Sequence, residues 1–134
     1  MTDKDRNLQN AVPELRLAYN AILDKYNSKW ISRFYKMNID YVTRTAMEQW
    51  GLYCRGASNC DGYQKISKHQ TGEAIDIYFT DKKGVAYWSG KPLYYLRYPA
   101  VFMAYRIFGG IVKNHGLLWG GLWKIRDYGH TELR

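Results

Sequence analysis

The chain is 134 residues long, 46% apolar and 16% aromatic, with thirteen Tyr and five Trp. That length suits one domain spanning 1–134, and the composition supports a core without staples, which excludes an intrinsically disordered chain. The formal charge of +8 favours an anionic partner, but Lys and Arg form no run of five or six, so a solvated basic surface accounts for them equally well.

The opening MTDKDRNLQN is polar and lacks the apolar core of a signal peptide. No later stretch is apolar for long enough to span a membrane, so the expected product is soluble and cytoplasmic. After Pro13, Leu15, Ala18, Ile22 and Tyr26 recur at helical spacing, with Glu14 in the first turn, and predict an amphipathic helix over 13–27. Asn27 and Ser28 can end it, and a short helical stretch follows through Trp30, Ile31 and Phe34.

Ile39, Tyr41 and Thr43 alternate with Asp40, Val42 and Arg44, the period of a short strand. Thr45 and Glu48 then form a capping box that opens a helix to about Arg55, with Gly56 as its stop. Residues 56–68 carry turn formers without periodicity and read as a surface loop. In AIDIYF, Ile75, Ile77 and Phe79 fall on one face of a strand and Ala74, Asp76 and Tyr78 on the other, so Asp76 projects from a rigid element.

A turn at Asp81–Gly84 leads to a strand at Val85–Trp88. Residues 99–114 are apolar at helical spacing, weakened by Gly109 and Gly110, and Gly116 can terminate that helix. In the tail, LLW and LWKI flank Gly120 and Gly121, which predicts two short strands joined by a Gly-Gly turn. Cys54 and Cys60 can bridge across a loop or stand as two partly buried thiols; they make no disulfide framework.

Hydrolytic zinc takes three protein ligands from His and Asp or Glu and leaves a fourth position for water. The chain has three histidines, at 69, 115 and 130, and no HExxH helix. His69 and Asp76 lie in SKHQTGEAID, residues 67–76, which has the pattern SxHxxGxAxD. Trp119-Gly120-Gly121-Leu122-Trp123 is followed by Asp127-Tyr128-Gly129-His130-Thr131-Glu132. Together these two motifs, about fifty residues apart, resemble those of the D-Ala-D-Ala carboxypeptidase and dipeptidase family, which includes the L-alanyl-D-glutamate peptidases of phage endolysins. The resemblance covers roughly 39–133, a motif-bearing part that follows an N-terminal helical part at 1–38.

The resemblance implies that His69, Asp76 and His130 hold zinc, that Asp127 is the base, and that Arg44 stabilises the oxyanion. Glu132, on the same strand face as His130, either orients that ligand or is a plain surface carboxylate, and Ser67 is a further supporting residue. His115 matches no motif position and reads as structural; Trp119 and Trp123 either pack in the core or border the substrate cleft. Thr131 departs from the aromatic or aliphatic residue more usual there. An Asp at 127, as in phage endolysin peptidases, rather than Glu leans toward an endopeptidase.

The implied fold is α+β, a small antiparallel sheet with packed helices, as in the hedgehog and D-Ala-D-Ala peptidase fold. The implied reaction is zinc-dependent hydrolysis of a peptidoglycan stem amide, between L-Ala and D-Glu, by a monomer with no nucleic-acid or membrane partner. Reaching the wall would need an export route such as holin-type release. The rival readings are a D-Ala-D-Ala carboxypeptidase and a non-catalytic zinc-bearing wall-binding or virion protein. Nucleic-acid binding is weaker, because no such motif accompanies the charge.

Overall fold

The computed structural model describes residues 4–89 and 97–134. Helix α1 spans Pro13–Asn27 with Pro at its first turn, α2 spans Ala46–Cys54, and α3 spans Pro99–Asn114. Five strands form one antiparallel sheet: β1 (Lys36–Tyr41), β2 (Ala74–Thr80), β3 (Ala86–Tyr87), β4 (Leu118–Trp119) and β5 (His130–Glu132). The order is β1-β2-β5-β4, and β3 shares with β5 the edge of β2 that β1 does not occupy. The architecture is therefore α+β, as expected.

Local chemistry explains most element boundaries. Thr45 accepts from the Glu48 backbone N–H while the Glu48 carboxylate accepts from that of Thr45, so α2 opens on a complete capping box. At the end of α3, His115 Nδ1 lies 2.9 Å from the Ile111 carbonyl oxygen, and Gly116 follows with φ 76°. In α1 the buried positions are Leu15, Tyr19, Ile22 and Tyr26; Tyr19 takes the inward place expected of Ala18, since the larger ring fills more of the core.

Strand β2 is the centre of the molecule. Ile75, Ile77 and Phe79 are buried against α1 and α3, with the Phe79 ring 5.2 Å from Tyr26 and 4.7 Å from Tyr105. Burial of this face is the main driving force for assembly. The opposite face, carrying Asp76 and Tyr78, is left for the site.

Two expectations need correction. Strand β1 runs from Lys36 to Tyr41 rather than 39–44, and so begins inside the stretch read as helical. Its ladder shifts register between Ile39 and Tyr41 and ends at the Tyr41–Asp76 pair; beyond it the Val42 N–H donates to the Asp5 carbonyl at 2.8 Å instead of to a strand, and the Thr43 hydroxyl donates to the Asp5 carboxylate. In the tail, residues 122–125 form no strand. Gly120–Leu122 is a 3-10 turn, and Gly120 O accepts from both Trp123 N and Asp127 N, closing the segment into a loop that leaves Leu122 and Ile125 exposed. The second tail strand is His130–Glu132, paired with both β2 and β4.

Candidate metal centre

His69, Asp76 and His130 are brought together although 61 residues separate the first from the last. Each offers one ligand atom, and these atoms lie within 4.8 Å of one another. That spacing is roughly twice a zinc–ligand bond of about 2.0–2.2 Å. The sheet register explains the meeting: Asp76 sits opposite His130 across the β2–β5 ladder, and Tyr41 opposite Asp76 across β1–β2.

His69 lies in a 3-10 turn, Lys68–Thr71, between a cap and a left-handed exit. The Ser67 hydroxyl accepts from the His69 backbone N–H at 3.2 Å, and the Gln70 carboxamide accepts from Ser67 N at 2.9 Å. Gly72 leaves the turn at φ 73°, where a Cβ would stand 2.9 Å from the Asn10 carbonyl oxygen, so glycine is required twice over. Ser67 thus supports His69 through its backbone rather than its ring. The ring itself is buried and set by Nδ1, which donates to the Val42 carbonyl at 2.8 Å. Its Nε2 is 3.2 Å from Asp76 Oδ2, in ion-pair range but off the angle of a hydrogen bond, and has no hydrogen-bond partner. A buried, bare imidazole nitrogen facing a carboxylate is costly unless something fills the gap, and a cation does so.

His130 is held differently. Its Nδ1 lies 2.8 Å from Asp76 Oδ1 and its Nε2 2.8 Å from Glu132 Oε1, and both carboxylates can only accept. Burial opposes charge on this ring, but the bonds to Asp76 and Glu132 and the fields of Asp76 and Asp127 outweigh it, and the pKa is pushed up to about 10. For Asp76, burial favours the neutral acid, yet the two imidazoles prevail and hold the carboxyl well below the usual carboxylate range. Glu132 accordingly contacts the ring of His130, and Lys68 Nζ stands 4.0 Å from its other oxygen.

Arg44 joins the cluster from the other side. It donates to Asp76 Oδ2 at 3.2 Å and to Gln49 Oε1 at 3.2 Å, its guanidinium carbon lies 4.4 Å from the centroid of the Tyr41 ring, and its buried Nε has no partner. Asp127 sits where the chain turns back into β5: His130 N donates to Asp127 O at 3.2 Å, and the Asp127 carboxylate accepts from the Ser89 hydroxyl at 3.0 Å. Burial, and then the negative field of Asp76, push the Asp127 carboxyl above its ordinary range. A raised pKa makes a carboxylate a stronger base.

Several participants escaped the sequence reading. Ser89 and the Val42 carbonyl carry no local signal, because one is a common hydroxyl and the other a backbone atom. Gln49, fully buried, fixes Arg44 and donates to Ser58 Oγ and Cys60 O, both at 2.8 Å. The two tryptophans divide: Trp119 is core, donating Nε1–H to Tyr128 O at 2.8 Å, whereas Trp123 is 39% exposed with its ring 4.7 Å from that of His130. Cys54 and Cys60 are free thiols. His115 lies with α3, apart from the cluster, as a helix-end residue.

A paired imidazole, a second imidazole and a carboxylate lie close enough together to hold one metal ion, with further carboxylates and an arginine around them. The chain belongs to the D-alanyl-D-alanine carboxypeptidase family of peptidases, whose family model matches residues 61–133, more than half of the sequence. Its fold is similar to that of the L-Ala D-Glu endopeptidase ChiX from Serratia marcescens, with a TM-score of 0.63 and 22% identity over 96% of this chain and 84% of that one. No curated protein sequence matches the chain.

Proposed function

We propose that this peptidase is zinc-dependent and hydrolyses an amide of the peptidoglycan peptide stem, at the L-alanyl-D-glutamate bond. The observation that carries the reading is the donor set: one ligand atom each from His69, Asp76 and His130 within 4.8 Å of one another, with His69 Nε2 lacking a hydrogen-bond partner. Two nitrogens and one oxygen suit zinc better than the all-oxygen sites of magnesium or calcium.

Bound zinc would supply Lewis-acid polarisation of the scissile carbonyl and a water nucleophile near neutral pH. Asp127, with its pKa raised by burial and by Asp76, takes a proton from the attacking water and returns it to the leaving amine. Ser89 fixes the Asp127 carboxylate by donating at 3.0 Å. Arg44 offers its unpartnered Nε–H to the developing oxyanion, and Glu132 keeps the His130 ring oriented through Nε2. Trp123, beside His130 and part exposed, borders the cleft.

The second reading, removal of a terminal D-Ala, draws on the description of the matched family. Defined muropeptides separate the two by mass spectrometry. An internal cut at L-Ala, abolished by a chelator and restored by zinc, is the expected result; loss of one terminal D-Ala would replace it with the carboxypeptidase reading. Asp127→Ala is expected to bind zinc and lose turnover by about 10²–10⁴-fold. Unchanged hydrolysis in that variant would remove the proposed base.

A further inference from the structure

One end of the molecule gathers more cations than carboxylates. Lys25 lies in the last turn of α1, Lys29 precedes the 3-10 turn Trp30–Arg33 and Arg33 ends it, Lys36 starts β1, and Lys82 and Lys83 lie between β2 and β3; all six are exposed. The fold brings the two stretches together, since Lys36 pairs with Thr80 and Lys82 Nζ stands 5.5 Å from the centroid of the Phe34 ring. Two carboxylates share this end, Asp24 and Asp81, and Asp81 spends its oxygens on Lys83 N, Val85 N and the Tyr87 hydroxyl. Six cations against two carboxylates leave +4, half of the formal +8. Among the described residues none of the six forms an ion pair.

Apolar groups sit among these charges. Trp30 is 58% exposed and Phe34 51%, their rings edge to face with centroids 6.2 Å apart, and Val85 is 49% exposed. A soluble polyanion would neutralise the cations and leave the rings wet. The headgroup layer of an anionic bilayer takes both, because Trp and Phe partition there and Lys and Arg meet lipid phosphates.

We infer that this end docks on an anionic phospholipid surface, with Trp30 and Phe34 entering the headgroup layer and the six cations facing the phosphates. No helix among the described residues is long and apolar enough to cross a membrane, and surface adsorption requires none. The metal centre stays clear: Lys36 and Tyr41 bound β1, roughly 17 Å apart at the rise of an extended strand, and Tyr41 is the residue opposite Asp76. The docking is independent of the proposed hydrolysis and is tested without it.

The test is cosedimentation of the full chain with vesicles of phosphatidylcholine alone and of phosphatidylcholine mixed with phosphatidylglycerol, alongside binding of soluble inorganic polyphosphate. Pelleting with the mixed vesicles only is expected. Lys29→Glu with Arg33→Glu should weaken it at least about tenfold, and Trp30→Ala about threefold, with circular dichroism unchanged. Absence of pelleting, equal pelleting with both vesicles, or a Trp30→Ala variant that binds as the parent does would each overturn the proposal. The last result, with polyphosphate bound as tightly as the vesicles, would make the face a polyanion site instead.

Discussion

The two histidines that flank Asp76 are the same residue type on neighbouring elements, yet they are held by different partners. His69 is fixed by a backbone carbonyl and turns a bare nitrogen toward Asp76; His130 has a carboxylate at each ring nitrogen and holds an extra proton. What stands behind each ring makes the difference. A carbonyl accepts from one ring nitrogen and leaves the other bare, whereas two carboxylates stabilise the imidazolium. To serve in the proposed zinc site, His130 must first release a proton.

The largest expected effect comes from the residue both share. Asp76→Asn removes the charge that compensates Arg44 and His130, so the metal-free protein should lose about 3–5 kcal/mol in denaturant melts, as when one partner of a buried pair is deleted. Zinc binding by calorimetry and hydrolysis should fail together. A variant that melts like the parent would mean that neither histidine depends on Asp76, which breaks the comparison.

The pH dependence tests the His130 side directly. The pKa of His130 is raised from 6.5 to about 10 in the folded, metal-free protein, so its contribution to stability is complete below pH 6.5 and is lost as pH rises through 10. The melting temperature without metal should therefore fall between about pH 7 and 10. Zinc affinity should move the other way, gaining up to about tenfold per pH unit over that range as the displaced proton becomes easier to lose. Affinity independent of pH would show that the proton on Nδ1 is not in the way.

How much of this was legible in the sequence follows from where each signal resides. Helices α1 and α3 were readable because Pro13 and Pro99 open them and apolar spacing runs between; α2 was readable from Thr45 and Glu48 alone. The inward and outward faces of β2 follow from alternation in AIDIYF, and the histidines and Asp76 from two spaced motifs. The support behind them was not readable. Val42 acts through its carbonyl, which any residue has, and Asp5 stands in place of a strand partner some 38 residues away. The short apolar run LWKI after Gly120 and Gly121 suggested a strand, but a strand also needs a ladder partner, and Gly120 O had already captured that loop.

Glu132→Gln sharpens the contrast with a smaller effect. The amide keeps an acceptor for the His130 Nε2–H but removes the charge, so the imidazolium loses support and the neutral ring loses basicity. Zinc affinity should drop by about 10–100-fold, as for other partners behind metal ligands. The metal-free protein should also show a weaker decline of stability toward pH 10, because His130 then titrates lower. Loss of affinity without that change in the pH trend would make Glu132 a steric support rather than an electrostatic one.

The smallest effect addresses packing behind His130. Strand β5 rests on β4, where Trp119 pairs with Thr131, and the Trp119 ring fills space that glycines leave open. A Cβ at Gly109 would fall 2.2 Å from that ring and one at Gly121 2.4 Å, while Gly110, the next residue in α3, has nothing within 4 Å. Gly109→Ala must therefore push the indole away from α3 and strain its bond to Tyr128 O, at a cost of about 1–3 kcal/mol typical of overpacked cores. Gly110→Ala adds helix propensity without a clash and should stabilise by roughly 0.8–1 kcal/mol. Because Trp119 reaches the site only through β4 and β5, Gly109→Ala should weaken zinc binding by disturbing His130, while the turn that presents His69 stays intact. Equal melting temperatures for the two variants would mean that the indole moves freely, and that the His130 side owes its position to Asp76 and Glu132 alone.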